Sequence, residues 1–225
     1  MSEPFPLTPI AMLREGVAGF RREPVLLLAG GVLTFAILAA TQIPAQMLLD
    51  DGRQVAAIVV HLLGAVLAGT AAYPWFTYAL DAARQEPGSF AKPFQAPDRF
   101  FAQFVAAFWF WAAVLLGARY LAGLPAILAT VFYAFYGYVI VDKKTYGGMR
   151  ALGTSVRLGD KRRIALFAIL ALFAVFNFMA AVPLGFGLNP LSVVAATALL
   201  LVSTSITMVA GAALYDTLKV NLPDG

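Results

Sequence analysis

A chain of 225 residues that is 61% hydrophobic and 12% charged, with a mean hydropathy of +0.81, lies far outside the composition of water-soluble domains and belongs in a bilayer. Its net charge of +4 comes from basic residues flanking apolar runs, so it reads as a topology signal, and no nucleic-acid partner is expected. The lack of cysteine excludes disulfides, thiolate metal sites and cysteine nucleophiles.

No cleavable signal peptide is expected, because Glu3, Glu15 and Glu23 precede a first apolar run long enough to span. Thr8 and Pro9 read as the N-cap and first residue of a short helix over about 9–22. Its stripe of Ile10, Leu13, Val17 and Phe20 predicts a helix lying in the membrane interface. Spans are predicted at about 24–43, 55–80, 100–117, 122–141, 164–182 and 191–214, each near the roughly 20 residues that a hydrocarbon core requires. In the second, Gly64, Ala68 and Ala72 form a ladder of small residues, and Pro74 predicts a kink. The Pro-rich connection from Asp81 to Arg99 reads as an ordered surface loop. Asp98 caps the third span by this reading, and Asp50 and Asp51 the second. Phe101, Phe104, Phe108 and Trp111 stripe the third span, a pattern expected to pack against helices or lipid. Asn189 and Pro190 resemble the cap and first residue of the sixth.

Between the fourth and fifth spans lies a basic segment, 142–163, read as a second interfacial helix whose apolar face is Met149, Leu152 and Val156, with Gly159 as its stop and Asp160 as the next cap. It carries seven basic residues, Lys143, Lys144, Arg150, Arg157, Lys161, Arg162 and Arg163, and forms a collar that could hold anionic headgroups or dock a membrane protein partner. Fourteen of the sixteen Lys and Arg fall on the side of the N-terminus and collar, and only Arg53 and Arg119 on the other. The positive-inside rule therefore predicts cytoplasmic termini in a bacterial inner membrane. A weak repeat relates residues 8–80 to 147–214, and the even-numbered spans end in Tyr78 and Asp81, Tyr138 and Asp142, and Tyr215 and Asp216. Tyr and Asp are also common at interfaces, which accounts for those endings without any shared role.

The segments GLPAIL at Gly123–Leu128, YVIVD at Tyr138–Asp142, GGMRALGTSVRLGDKRR at Gly147–Arg163 and ALYDTLK at Ala213–Lys219 resemble a family of bacterial integral membrane proteins. That family is the membrane domain found fused to glycerophosphodiester phosphodiesterase catalytic domains and also found alone. The resemblance implies a multi-span helical fold and no defined activity, since nothing here corresponds to the catalytic domain.

No catalytic set is legible, and neither enzymatic activity nor a cofactor is expected. Ser203 or Ser205 could be drawn against His61, but the GxSxG context and a third group are absent. His61 and Asn177 are candidate intramembrane polar sites, since polar groups in a span are costly; both are expected to bond neighbouring helices. The fold class expected is all-α: a polytopic membrane protein with six spans and two interfacial amphipathic helices. The leading functional expectation is a non-catalytic scaffold or accessory subunit that organises lipid or a partner complex. The alternative is a transport or binding component for a small apolar or amphipathic ligand, and a water-accessible cavity between the spans would separate the two.

Overall fold

The computed structural model describes residues 8–119, 123–160, 162–187 and 189–220. Among them are ten α-helices: α1 (Pro9–Arg22), α2 (Pro24–Asp50), α3 (Gln54–Ala71), α4 (Tyr73–Arg84), α5 (Asp98–Arg119), α6 (Leu124–Tyr133), α7 (Tyr136–Asp142), α8 (Gly148–Leu158), α9 (Arg163–Ala180) and α10 (Pro190–Lys219). Six stretches are long and apolar enough to cross a membrane: α2, α3 with α4, α5, α6 with α7, α9 with the turn after it, and α10. The protein is all-helical and has the make-up of a multi-pass membrane protein.

Two helix starts follow the sequence directly. The Thr8 hydroxyl accepts from Ala11 N at 3.4 Å, and the Asn189 side chain from Ser192 N at 3.0 Å, with proline next in each case. At two helix starts the expected caps are not used, since Arg53 and Arg162 occupy the N-cap positions of α3 and α9. Asp98 is the first residue of α5, and its carboxylate also accepts from Arg99. The first span also outruns its expected end at Ile43. Pro44 removes one hydrogen bond, but Ala45–Leu49 stay helix-forming and α2 lies along α3, so the helix continues to Asp50 and is about 40 Å long.

The second span bends at Ala72, where Pro74 enters the first turn of α4. The fourth breaks outright at Ala134–Phe135, which the sequence did not signal. The Ser155 hydroxyl of α8 repairs this break, accepting from Phe135 N at 3.0 Å and donating to Phe132 O at 2.9 Å. Irregular backbone at membrane depth requires such a partner.

The spans pair as three hairpins: α2 with α3/α4, α5 with α6/α7, and α9 with α10. The second span of each hairpin packs on the first span of the next, α3 on α5, α6 on α9 and α10 on α2, so the six close a ring. A short element precedes each hairpin and packs on the hairpin before it in the ring. These are α1 on α10, the 3₁₀ turn Lys92–Gln95 on α4, and α8 on α5 and α7. The repeat is thus threefold in packing, where the sequence shows two copies. Its middle connector is a Pro-bearing turn too short to carry helical periodicity.

Small residues set the closest approaches, as expected where no hydrophobic drive exists between helices in lipid. A Cβ at Gly16 would meet Ile206 O of α10, and one at Gly148 would meet Ala102 O of α5. Each predicted stripe turns inward in part, since Leu13 and Phe20 of α1 pack on the core and Leu152 of α8 is buried. α1 buries Met12, Gly16 and Gly19 and leaves Ile10 73% exposed; α8 buries Gly148, Ala151, Leu152, Ser155 and Leu158 and leaves Met149 59% exposed. Pattern reading selects large apolar residues and passes over the glycines that make the closest approaches.

Candidate functional site

At the centre of the ring is a cavity of about 440 Å³ to which all six spans contribute. This lies within the roughly 300–1,000 Å³ typical of small-molecule sites. Its wall is mostly apolar and aromatic, with Phe35, Phe76, Phe110, Phe135 and Phe173 from five different helices or breaks, and Ala68, Gly69 and Gly211 where the wall is thin. The break in the fourth span borders it at Ala134 and Phe135.

Most polar groups on this wall are already spent. Thr34, Thr130 and Thr207 donate to carbonyls of their own helices at 2.9–3.0 Å, and Tyr138 donates to Met208 O at 2.7 Å. Three are not. The buried indole N–H of Trp111 has no partner, and the hydroxyls of Tyr133 and Tyr136 make no hydrogen bond with the described residues. Tyr136 is only 6% exposed. An unpaired donor in such a setting costs about 1–3 kcal/mol, so the wall has unspent capacity for an acceptor on a bound molecule.

Beneath the cavity, at the collar end, the even spans meet in a charged cluster. Arg84 at the end of α4 donates to both oxygens of Asp216, at 2.8 and 2.9 Å, and to Asp142 at the end of α7 at 2.5 Å. Lys219 lies 2.7 Å from Asp216 and 3.6 Å from Asp142. The Tyr215 hydroxyl donates to the second Asp142 oxygen at 3.0 Å, and the Tyr215 ring stacks on Tyr138, which lines the cavity. Two cations and two carboxylates, with Arg84, Asp142 and Asp216 no more than 24% exposed at their side chains, make a neutral floor. Asp81, the third of the Tyr and Asp endings, stays apart: it is 4% exposed and held by Lys92 at 2.6 Å. So Asp142 and Asp216 are joined through Arg84, a residue that sequence reasoning counted only toward topology.

The collar residues are not gathered into one site. Arg150 lies over the Tyr146 ring at 3.9 Å, Arg163 over Phe132 at 4.6 Å, and Arg157 donates to Thr154 at 3.3 Å. Lys144 is exposed on the turn before α8, after Lys143. Arg162 and Arg163 edge a shallow groove with Ile164, Ala165 and Ala168, and Lys161 falls outside the described residues.

His61 faces Gln42 of α2, its Nδ1 against the amide oxygen, while the Gln42 amide nitrogen donates to His61 O at 3.4 Å. Ser205 donates to Leu27 O and Ser203 to Leu200 O, so neither serine is paired with His61. Asn177 donates to Thr207 Oγ1 at 3.1 Å, tying α9 to α10 beside the cavity. The aromatic stripe divides. Phe101 is 71% exposed, and Phe104 and Phe108 also face outward, so only Trp111 reaches the cavity, next to Phe110 from off the stripe. Among the described residues, no group of three His, Asp or Glu stands as metal ligands would.

No family model matches the chain, and comparison with curated proteins and with solved structures finds no significant match.

Proposed function

We propose that the protein binds a small apolar or amphipathic molecule in the central cavity, as a carrier or a receptor-like component of the membrane. The observation that carries this reading is the cavity itself, lined by all six spans and by aromatic rings, with the Trp111, Tyr133 and Tyr136 donors unspent. A helix broken beside the cavity supports it, since irregular backbone at depth accompanies binding sites in transporters. The matching ligand is mostly hydrocarbon with one carbonyl or ether acceptor. In this reading the termini and the collar face the cytoplasm, and α1 and α8 lie at that interface with Arg14, Arg21 and Arg150 toward lipid headgroups.

The test is thermal unfolding in lipid nanodiscs with a long-chain methyl ketone, a fatty-acid methyl ester and a dialkyl ether. Ligand that binds only the folded state raises the midpoint with concentration. At least one probe should raise it in the native protein and none in Ala68→Trp, which fills the cavity. Equal shifts in both proteins would place the effect outside it.

A second reading, the scaffold that organises lipid or a partner complex, has the basic collar in its favour, and in particular the Arg162 and Arg163 groove. Replacing Arg162 and Arg163 by Gln should then weaken binding to anionic vesicles and leave the probe shifts unchanged.

A further inference from the structure

We infer that a second binding site, on the lipid-facing side of the contact between α3 and α5, takes a long-chain molecule with a free hydroxyl, held by His61 Nε2. The site is a groove of about 510 Å³ lined by Ile58, His61 and Leu62 of α3 and Ala112, Leu115, Leu116 and Ala118 of α5. It shares no lining residue with the central cavity.

Its chemistry follows from the one polar side chain that lines it. The Gln42 amide is oriented by its own hydrogen bond, because the nitrogen must donate to His61 O at 3.4 Å, and that turns the amide oxygen toward His61 Nδ1. An oxygen there requires the ring proton on Nδ1. In the neutral imidazole, Nε2 is then a lone-pair acceptor with no hydrogen to give. No described residue donates to it, and it is not among the sealed atoms of the interior. His61 lies seven residues past Gln54, about 10 Å down the helix from its start, at a depth where an unfilled acceptor is costly. Gln42 thus sets the specificity of a ring it shares no helix with. Only a donor completes the site, which rejects esters, ketones and ethers and selects an O–H. The remaining wall is entirely apolar and accommodates the chain.

The preference therefore differs from that of the central cavity, whose free groups, an indole N–H and two tyrosine hydroxyls, can each donate. This inference stands apart from the proposed function, and the two can fail separately.

The test uses the whole protein in phosphatidylcholine nanodiscs, with a diazirine-bearing hexadecanol and its methyl ether, which has the same chain but no donor. After photolysis, adducts are mapped by peptide. We expect the alcohol to label residues 58–62 and 112–118 at least fivefold more than the ether, and His61→Phe to lower alcohol labelling there to the ether level. Leu116→Trp, a lipid-facing change that fills the groove and leaves the Gln42 and His61 side chains in the protein, should abolish both. Equal labelling by alcohol and ether in the native protein would overturn the inference. So would an alcohol preference that survives in His61→Phe, or adducts confined to other segments.

Discussion

The even-numbered and odd-numbered spans are alike in hydropathy and differ in what they do. α4 buries nine of its residues, from Tyr73 to Ala82, and α10 buries most of its second half, whereas α9 buries only Leu166, Ile169, Phe173 and Ala180. The even spans converge at the collar end around Arg84, and α2, α5 and α9 turn long apolar faces outward. In lipid, apolarity does not tell an axial helix from a peripheral one. Small residues and paired charges do.

The comparison breaks most sharply at Arg84. Arg84→Met leaves Asp142 and Asp216 side by side with only Lys219 between them, and the loss should be on the order of 2–4 kcal/mol, read as a lower midpoint in denaturant or heat. Adding Asp142→Asn and Asp216→Asn should recover part of it; no recovery would mean that Arg84 acts through packing alone. Next is Gly16→Leu, which drives a side chain into the Ile206 carbonyl and should cost about 1–3 kcal/mol while exposing α1 to protease. Ser155→Ala leaves Phe135 N–H and Phe132 C=O unpaired at the break in the fourth span; a cost of about 1–2 kcal/mol and faster amide exchange near Phe135 are expected. The smallest effect belongs to the periphery. Phe178→Leu on α9, where the ring is 74% exposed, should stay within about 0.5 kcal/mol, and a larger loss would show that α9 is covered by something other than lipid.

Six apolar segments and the Thr8 and Asn189 caps were legible because hydropathy, proline and cap chemistry are local. The break at Ala134 was not. In VFYAFYG only Gly137 is a poor helix former, and it lies inside α7 beyond the break, which persists because a hydroxyl twenty residues later supplies the missing partners. The stripes of α1 and α8 left out Gly16 and Gly148 for a related reason: a glycine carries no side chain for a periodicity to count, yet these two make close contacts. The Tyr and Asp endings were visible and accounted for by interface statistics. What joins Asp142 to Asp216 is Arg84, 58 residues from one and 132 from the other, so the cluster exists only in three dimensions. The cavity likewise draws on all six spans, and of the third-span stripe only Trp111 reaches it.

The central claim is that the ring holds a molecule. Native mass spectrometry of the protein released from nanodiscs, run beside Ala68→Trp, tests it most directly. One small molecule or lipid species retained at fixed stoichiometry by the native protein, and missing from the filled variant, is the predicted result. The same species retained by Ala68→Trp, or a partner protein retained with no small molecule, would contradict it.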